Sequence, residues 1–243
     1  MTQLSPTSHA VHRRALTVSG LALLVVIILW NVPLFSTVLY PLRLFVTFIH
    51  EAGHVVASVL TGGEVRGFIV YPNGAGVTYT IGGIRAIILP AGYIGTALFG
   101  ASLFYIANTW GRTRLITTVL GYGLIAFSIF FTFSDLLNGL LALTIGCVMG
   151  GLLVSLARRG SEDFNLLILN VLAMITGLNA VLDVFYIVEN PGVRGVVVND
   201  AAAFSEQFAP WIPASVWALI WAIAAAALLA GAVYYSVIRP ARR

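Results

Sequence analysis

Runs of about 20 apolar residues recur along this 243-residue chain, at roughly 16–38, 42–60, 84–108, 114–134, 136–157, 164–188 and 213–238. Segments of that length and apolarity leave few architectures open. Inside a bilayer every backbone N–H and C=O must find its partner within the protein, so such runs fold as helices packed into a bundle. Composition points the same way, with 59% hydrophobic and only 9% charged residues, against roughly 25% charged in a soluble domain. The expected fold is an all-α polytopic membrane protein of about seven transmembrane helices.

The breaks between the runs are mostly short. Ser134 to Gly139 is the polar interruption in the long apolar stretch 115–157, and a tight turn is expected there. Two connections are longer. Thr61 to Gly83 contains two β-prone runs, Val65–Tyr71 and Val77–Ile81, around the turn sequence Pro72-Asn73-Gly74-Ala75-Gly76, which predicts a short β-hairpin. It would either cap the bundle or offer a strand edge to an extended peptide. Glu189 to Trp211 is expected to be a loop carrying a short amphipathic helix from about Asp200 to Phe208, with Asp200 as its N-cap. Gly92, Gly95 and Gly100 in the third run, and Gly146 and Gly150 in the fifth, offer small surfaces for close helix packing.

All thirteen basic residues are arginine, and the formal charge is +4. The arginines sit at segment ends and at the C-terminus, where they suit anionic lipid headgroups. They form no face of the kind that binds nucleic acid. The lone cysteine, Cys147, excludes an intrachain disulfide.

Chemistry concentrates at His50-Glu51-Ala52-Gly53-His54, an HExxH sequence inside the second apolar run. On a helix, residues four apart share a face, so both imidazoles can reach one Zn2+ while Glu51 stands beside it as a general base. With four His and five Glu in the chain, the pattern would arise by chance roughly once in 750 such sequences. Ionisable residues within spans are rare and mark functional sites.

A catalytic zinc ion takes three protein ligands and keeps one position open. His9 and His12 lie in the polar N-terminal tail, so the third ligand is expected to be a carboxylate. Glu64 belongs to the hairpin, and Glu162, Asp163, Glu189 and Glu206 fall at segment ends or in loops. Asp183, Asp135 and Asp200 remain, ranked in that order. Asp183 leads because its depth in the sixth run matches that of His54 in the second. A lone aspartate at mid-membrane costs about 2.5–3.5 kcal/mol unless it is paired or coordinated.

HEAGH in a membrane helix, followed by Leu60-Thr61-Gly62-Gly63 and a hairpin, resembles the M50 site-2-protease clan of intramembrane zinc metallopeptidases. The likeness is closer to its M50B-like bacterial branch, with a Gly-rich span comparable to Ala91-Gly92-Tyr93-Ile94-Gly95. A late Asp-Ala segment comparable to Asp200-Ala201 precedes a Trp-containing last span. On this resemblance residues 1–40 are an N-terminal tail and first span, and 41–243 a membrane peptidase domain. The resemblance implies a multi-pass protein of a bacterial plasma membrane that hydrolyses membrane-spanning protein substrates by metal-activated water. In the wider clan the third ligand is the aspartate of an Asn-Pro-rich segment ending in Leu-Asp-Gly, whereas here Leu182-Asp183 is followed by Val184. That departure leaves open a non-catalytic scaffold with a structural or vestigial metal site.

Overall fold

A computed structural model of the chain describes residues 6–31, 36–132, 136–189, 193–194 and 197–241. Long helices occupy the seven expected places: α1 (Pro6–Asn31), α2 (Ser36–Leu60), α3 (Arg85–Trp110), α4 (Thr113–Thr132), α5 (Leu136–Arg159), α6 (Glu162–Glu189) and α8 (Ala214–Val233). Among the described residues, five of them are long and apolar enough to cross a membrane: α2 from Leu39, α3, α4, α5 from Leu137, and α8 with its continuation to Ile238. Seven spans are therefore not shown. Within the described residues α1 contributes the apolar stretch Arg14–Leu29. The helix boundary expected at Pro41 is also displaced, because α2 begins at Ser36 and runs through the proline. Membrane helices tolerate such a residue when neighbouring groups satisfy the freed carbonyl. Of the turn expected at Ser134–Gly139, Leu136 to Gly139 belong instead to the start of α5, and residues 133–135 lie outside the described set.

The centre of the bundle is α3, which packs against α2, α6 and α8, while α4 pairs with α5. Water supplies no driving force between helices in lipid, so close backbone approach and interhelical hydrogen bonds must hold them. On α4 and α5 the small residues Gly121 and Gly150 touch backbone to backbone, and a methyl group on either would overlap the other's carbonyl. Where α1, α3 and α6 meet, the buried side chains of Ser19, Asn108 and Asn170 bond to one another, the shortest link being 2.7 Å from Asn108 Nδ2 to Asn170 Oδ1. Each such bond contributes about 0.6 kcal/mol in membrane proteins.

The hairpin lies within the bundle. Strands β1 (Glu64–Val70) and β2 (Gly76–Ile81) pair antiparallel, with a register shift between Val65 and Gly67. Gly74 takes a positive φ of 86° in the turn, and Asn73 Oδ1 accepts from Ala75 N at 3.0 Å. The turn is tied to the early part of α2, where Tyr40 Oη donates to the Pro72 carbonyl and Thr47 Oγ1 to that of Gly74, both at 2.8 Å. The hairpin therefore leaves the C-terminal end of α2 and runs back beside it. Seven residues of strand cover about 23 Å, enough to return from Leu60 to the level of Thr47, about 20 Å away along the helix. β1 is sealed by apolar packing: Phe68, Ile69 and Val70 are buried, and the Phe68 ring meets those of Phe48 and Phe127 edge-on. The hairpin is thus no cap on the bundle.

Strands β3 (Val193–Arg194) and β4 (Val197–Val198) form a second small pair, leading into α7 (Asp200–Phe208). This short helix has the bounds expected from sequence. Its ring of Phe204 packs on Trp217 and Trp221 of α8, and Ala201 is fully buried in the same cluster with Tyr93. A π-helical turn, Tyr234–Ile238, and the short α9 (Arg239–Ala241) end the described chain.

Candidate metal centre

Helical spacing brings the two histidines of α2 onto one face, with ring centroids 4.9 Å apart. Their orientation is set from α3. His54 Nδ1 lies 2.7 Å from the Ile88 carbonyl, so this nitrogen carries a proton and Nε2 is turned toward the site. The His50 ring stands edge-on to Tyr93 at 4.7 Å. Gly92 lets α3 come this close, because a Cβ there would overlap Nε2 of both histidines. The expectation that Gly92 serves helix packing holds, but the surface it packs against is the site itself.

Among the described residues, Asp200 brings a carboxylate to the imidazoles. Its Oδ2 is 2.9 Å from His50 Nε2 and 3.3 Å from His54 Nε2. The role of α7 N-cap expected for Asp200 belongs instead to Asn199, whose side chain accepts from Ala202 N at 2.8 Å. Asp200 is thereby released to turn into the bundle. Burial alone would raise its carboxyl, but the charge of His54 and hydrogen bonds from both imidazoles outweigh this and hold it well below the usual carboxylate range. Asp183 belongs to α6, but its side chain lies outside the described residues, as does all of Asp135.

Glu51 is buried beside the histidines, and the ligand atoms of His50, Glu51 and His54 lie within 4.8 Å of one another. It faces β2. Thr78 Oγ1 donates to Glu51 Oε2 at 2.7 Å, and Oε1 lies over Gly76, where a Cβ would overlap it. The face Gly76-Thr78-Thr80 of the strand thus turns toward the acid and toward a cavity of about 300 Å³. His50, His54, Tyr93, Asn179 and Asp200 line the same cavity.

This donor set fits zinc. Two ligands each about 2.0–2.1 Å from a tetrahedral ion stand about 3.3 Å apart, so the observed separations need a shift of at most about 0.4 Å. Two imidazoles and one carboxylate also leave a fourth position, which the cavity can supply with water.

Three features of the site were not read from sequence: Thr78 as a partner of Glu51, the Ile88 carbonyl as the anchor of His54, and Asn199 as the cap. A signal existed for the first. Gly76, Thr78 and Thr80 alternate with the apolar Val77, Tyr79 and Ile81 along the second strand, which marks one polar strand face.

Comparison with curated proteins and with solved structures gives no match. A family model described as Peptidase M50B-like matches residues 19–232, from α1 to the end of α8. With that match spanning nearly the whole multi-pass bundle and enclosing both the HExxH helix and α7, the chain belongs to the Peptidase M50B-like family.

Proposed function

We propose that this protein is an intramembrane zinc metalloendopeptidase that hydrolyses peptide bonds of membrane-spanning protein substrates. The observation that carries this reading is the convergence of Asp200 on Nε2 of both helical histidines, beside the buried Glu51 and at the wall of a polar cavity. His50, His54 and Asp200 would hold the zinc, with Asp200 taking the place that sequence gave to Asp183. Zinc there supplies Lewis acidity toward water and a substrate carbonyl.

The protein's own groups do the remaining work. Glu51 accepts the proton of the attacking water and returns it to the departing amine. The hydrogen bond from Thr78 fixes Oε2 and leaves Oε1 for the proton. β2 pairs only with β1 among the described strands, and its residues Gly76, Thr78 and Thr80 line the cavity. Exposed backbone at membrane depth is tolerated only against protein or water, which supports a hydrated cavity. An unwound substrate segment can pair with β2 and be held extended across the site. Packing of α1 and α6 against each other, and of α6 against α3 and α8, supports seven spans, and the family supports placement in a cell membrane.

The test is the Glu51→Gln variant of the purified full chain. It should keep its zinc and lose cleavage of a membrane-spanning test substrate. Undiminished cleavage by this variant would overturn the assignment.

A further inference from the structure

One cation stands in the wall of the catalytic cavity among the described residues apart from the two histidines, and the chemistry outlined above does not use it. Arg85 is the first residue of α3 and one helical turn before Ile88, whose carbonyl anchors His54. It is exposed, lines the cavity, and is steered by α7: its Nε donates to Gln207 Oε1 at 2.9 Å. No described residue takes up its two terminal nitrogens. A guanidinium with its fork free and its stem fixed is suited to a carboxylate, which it binds through two parallel hydrogen bonds.

We propose that Arg85 forms an anion-binding subsite that selects substrates with an acidic residue near the scissile bond. This rests on the peptidase reading. The cavity's two other charged residues, Glu51 and Asp200, are acidic and already engaged with Thr78 and the histidines, so away from the metal site Arg85 is the lining side chain that offers a substrate carboxylate an opposite charge. Position gives the spacing. Asp200 and Gln207 are seven residues apart on α7, about 10 Å along its axis. An extended peptide advances about 3.3 Å per residue. A substrate lying alongside α7 would then carry the preferred acid about three residues from the bond that is cut.

The experiment uses the full-length zinc-loaded protein in detergent with a peptide series carrying Asp, Ala or Arg at each of four positions on either side of one scissile bond. Cleavage is measured for the wild type, and equilibrium binding of the same peptides for Glu51→Gln. Asp at the third position on one side should raise kcat/KM, and tighten binding, about tenfold over Ala. Arg85→Ala should remove that preference and Arg85→Glu should transfer it to the Arg peptide, both with zinc content unchanged. Gln207→Glu, which pairs Arg85 without removing it, should also blunt the preference and guards against misfolding of the first two variants.

Equal cleavage of the Asp, Ala and Arg peptides by the wild type would overturn the subsite and leave the peptidase reading standing. A uniform loss on all peptides in Arg85→Ala would also overturn it, and would make Arg85 a strut for α7 or a lipid-headgroup anchor. Arg85-dependent binding of acidic peptides with no cleavage by the wild type would support the subsite and overturn the peptidase reading.

Discussion

Thr78 of β2 and Glu51 of α2 are joined by a 2.7 Å hydrogen bond from hydroxyl to carboxylate, although 27 residues separate them in the chain. The re-entrant hairpin is what brings them together. A hydrogen bond to a charged group is worth about 1.5–3 kcal/mol, so Thr78→Val should lower kcat by about 10- to 100-fold. Thr78→Ser should recover most of the rate, and zinc content should be unchanged in both. Steady-state kinetics with metal analysis on the same preparations checks this.

Gly92 bears on the metal itself. A side chain there collides with Nε2 of both His50 and His54, and backbone on α3 cannot retreat without disturbing its packing against α2. Gly92→Ala should weaken zinc binding by more than about tenfold, in the range of changes that misorient metal ligands. Gly20→Ala meets no atom within 4 Å and serves as the control, with zinc affinity expected at the wild-type value. Competition with a calibrated chelator measures both.

Asn199 controls whether α7 presents its aspartate. Loss of an N-cap costs about 0.5–2 kcal/mol, and here the first turn of the helix carries Asp200. Asn199→Ala should weaken zinc binding several-fold and lower the melting temperature slightly, while Asn199→Ser should restore both, because serine caps nearly as well. Thermal unfolding in detergent with and without added zinc separates the two effects. Zinc should raise the melting temperature of the wild type more than that of Asn199→Ala.

Much of this site was legible because a few residues carried strong local signals. HExxH fixed a helix face, and the turn sequence around Asn73-Gly74 fixed a hairpin. The bounds of α7 followed from its apolar spacing. Asp200 ranked last of the three candidate acids for a physical reason. Membrane depth favoured Asp183, since an aspartate in hydrocarbon demands a partner, whereas Asp200 looked like a solvated cap. The neighbouring Asn199 takes the cap and frees Asp200, and Phe204 and Ala201 press α7 onto α8 and Tyr93. Such a choice between adjacent polar residues depends on tertiary packing and leaves no trace in periodicity. The hairpin's path was hidden similarly, because strand patterning gives no direction, and only Tyr40 and Thr47 reaching its turn show that it folds back beside α2.

The central claim is that Asp200 completes the metal site with His50 and His54. Zinc bound per purified chain, measured by mass spectrometry for the wild type, Asp200→Ala and Asp183→Ala, tests it most directly. About one zinc is expected in the wild type and in Asp183→Ala, and loss of most of it in Asp200→Ala, with activity following the metal. Full zinc in Asp200→Ala together with loss in Asp183→Ala would contradict it.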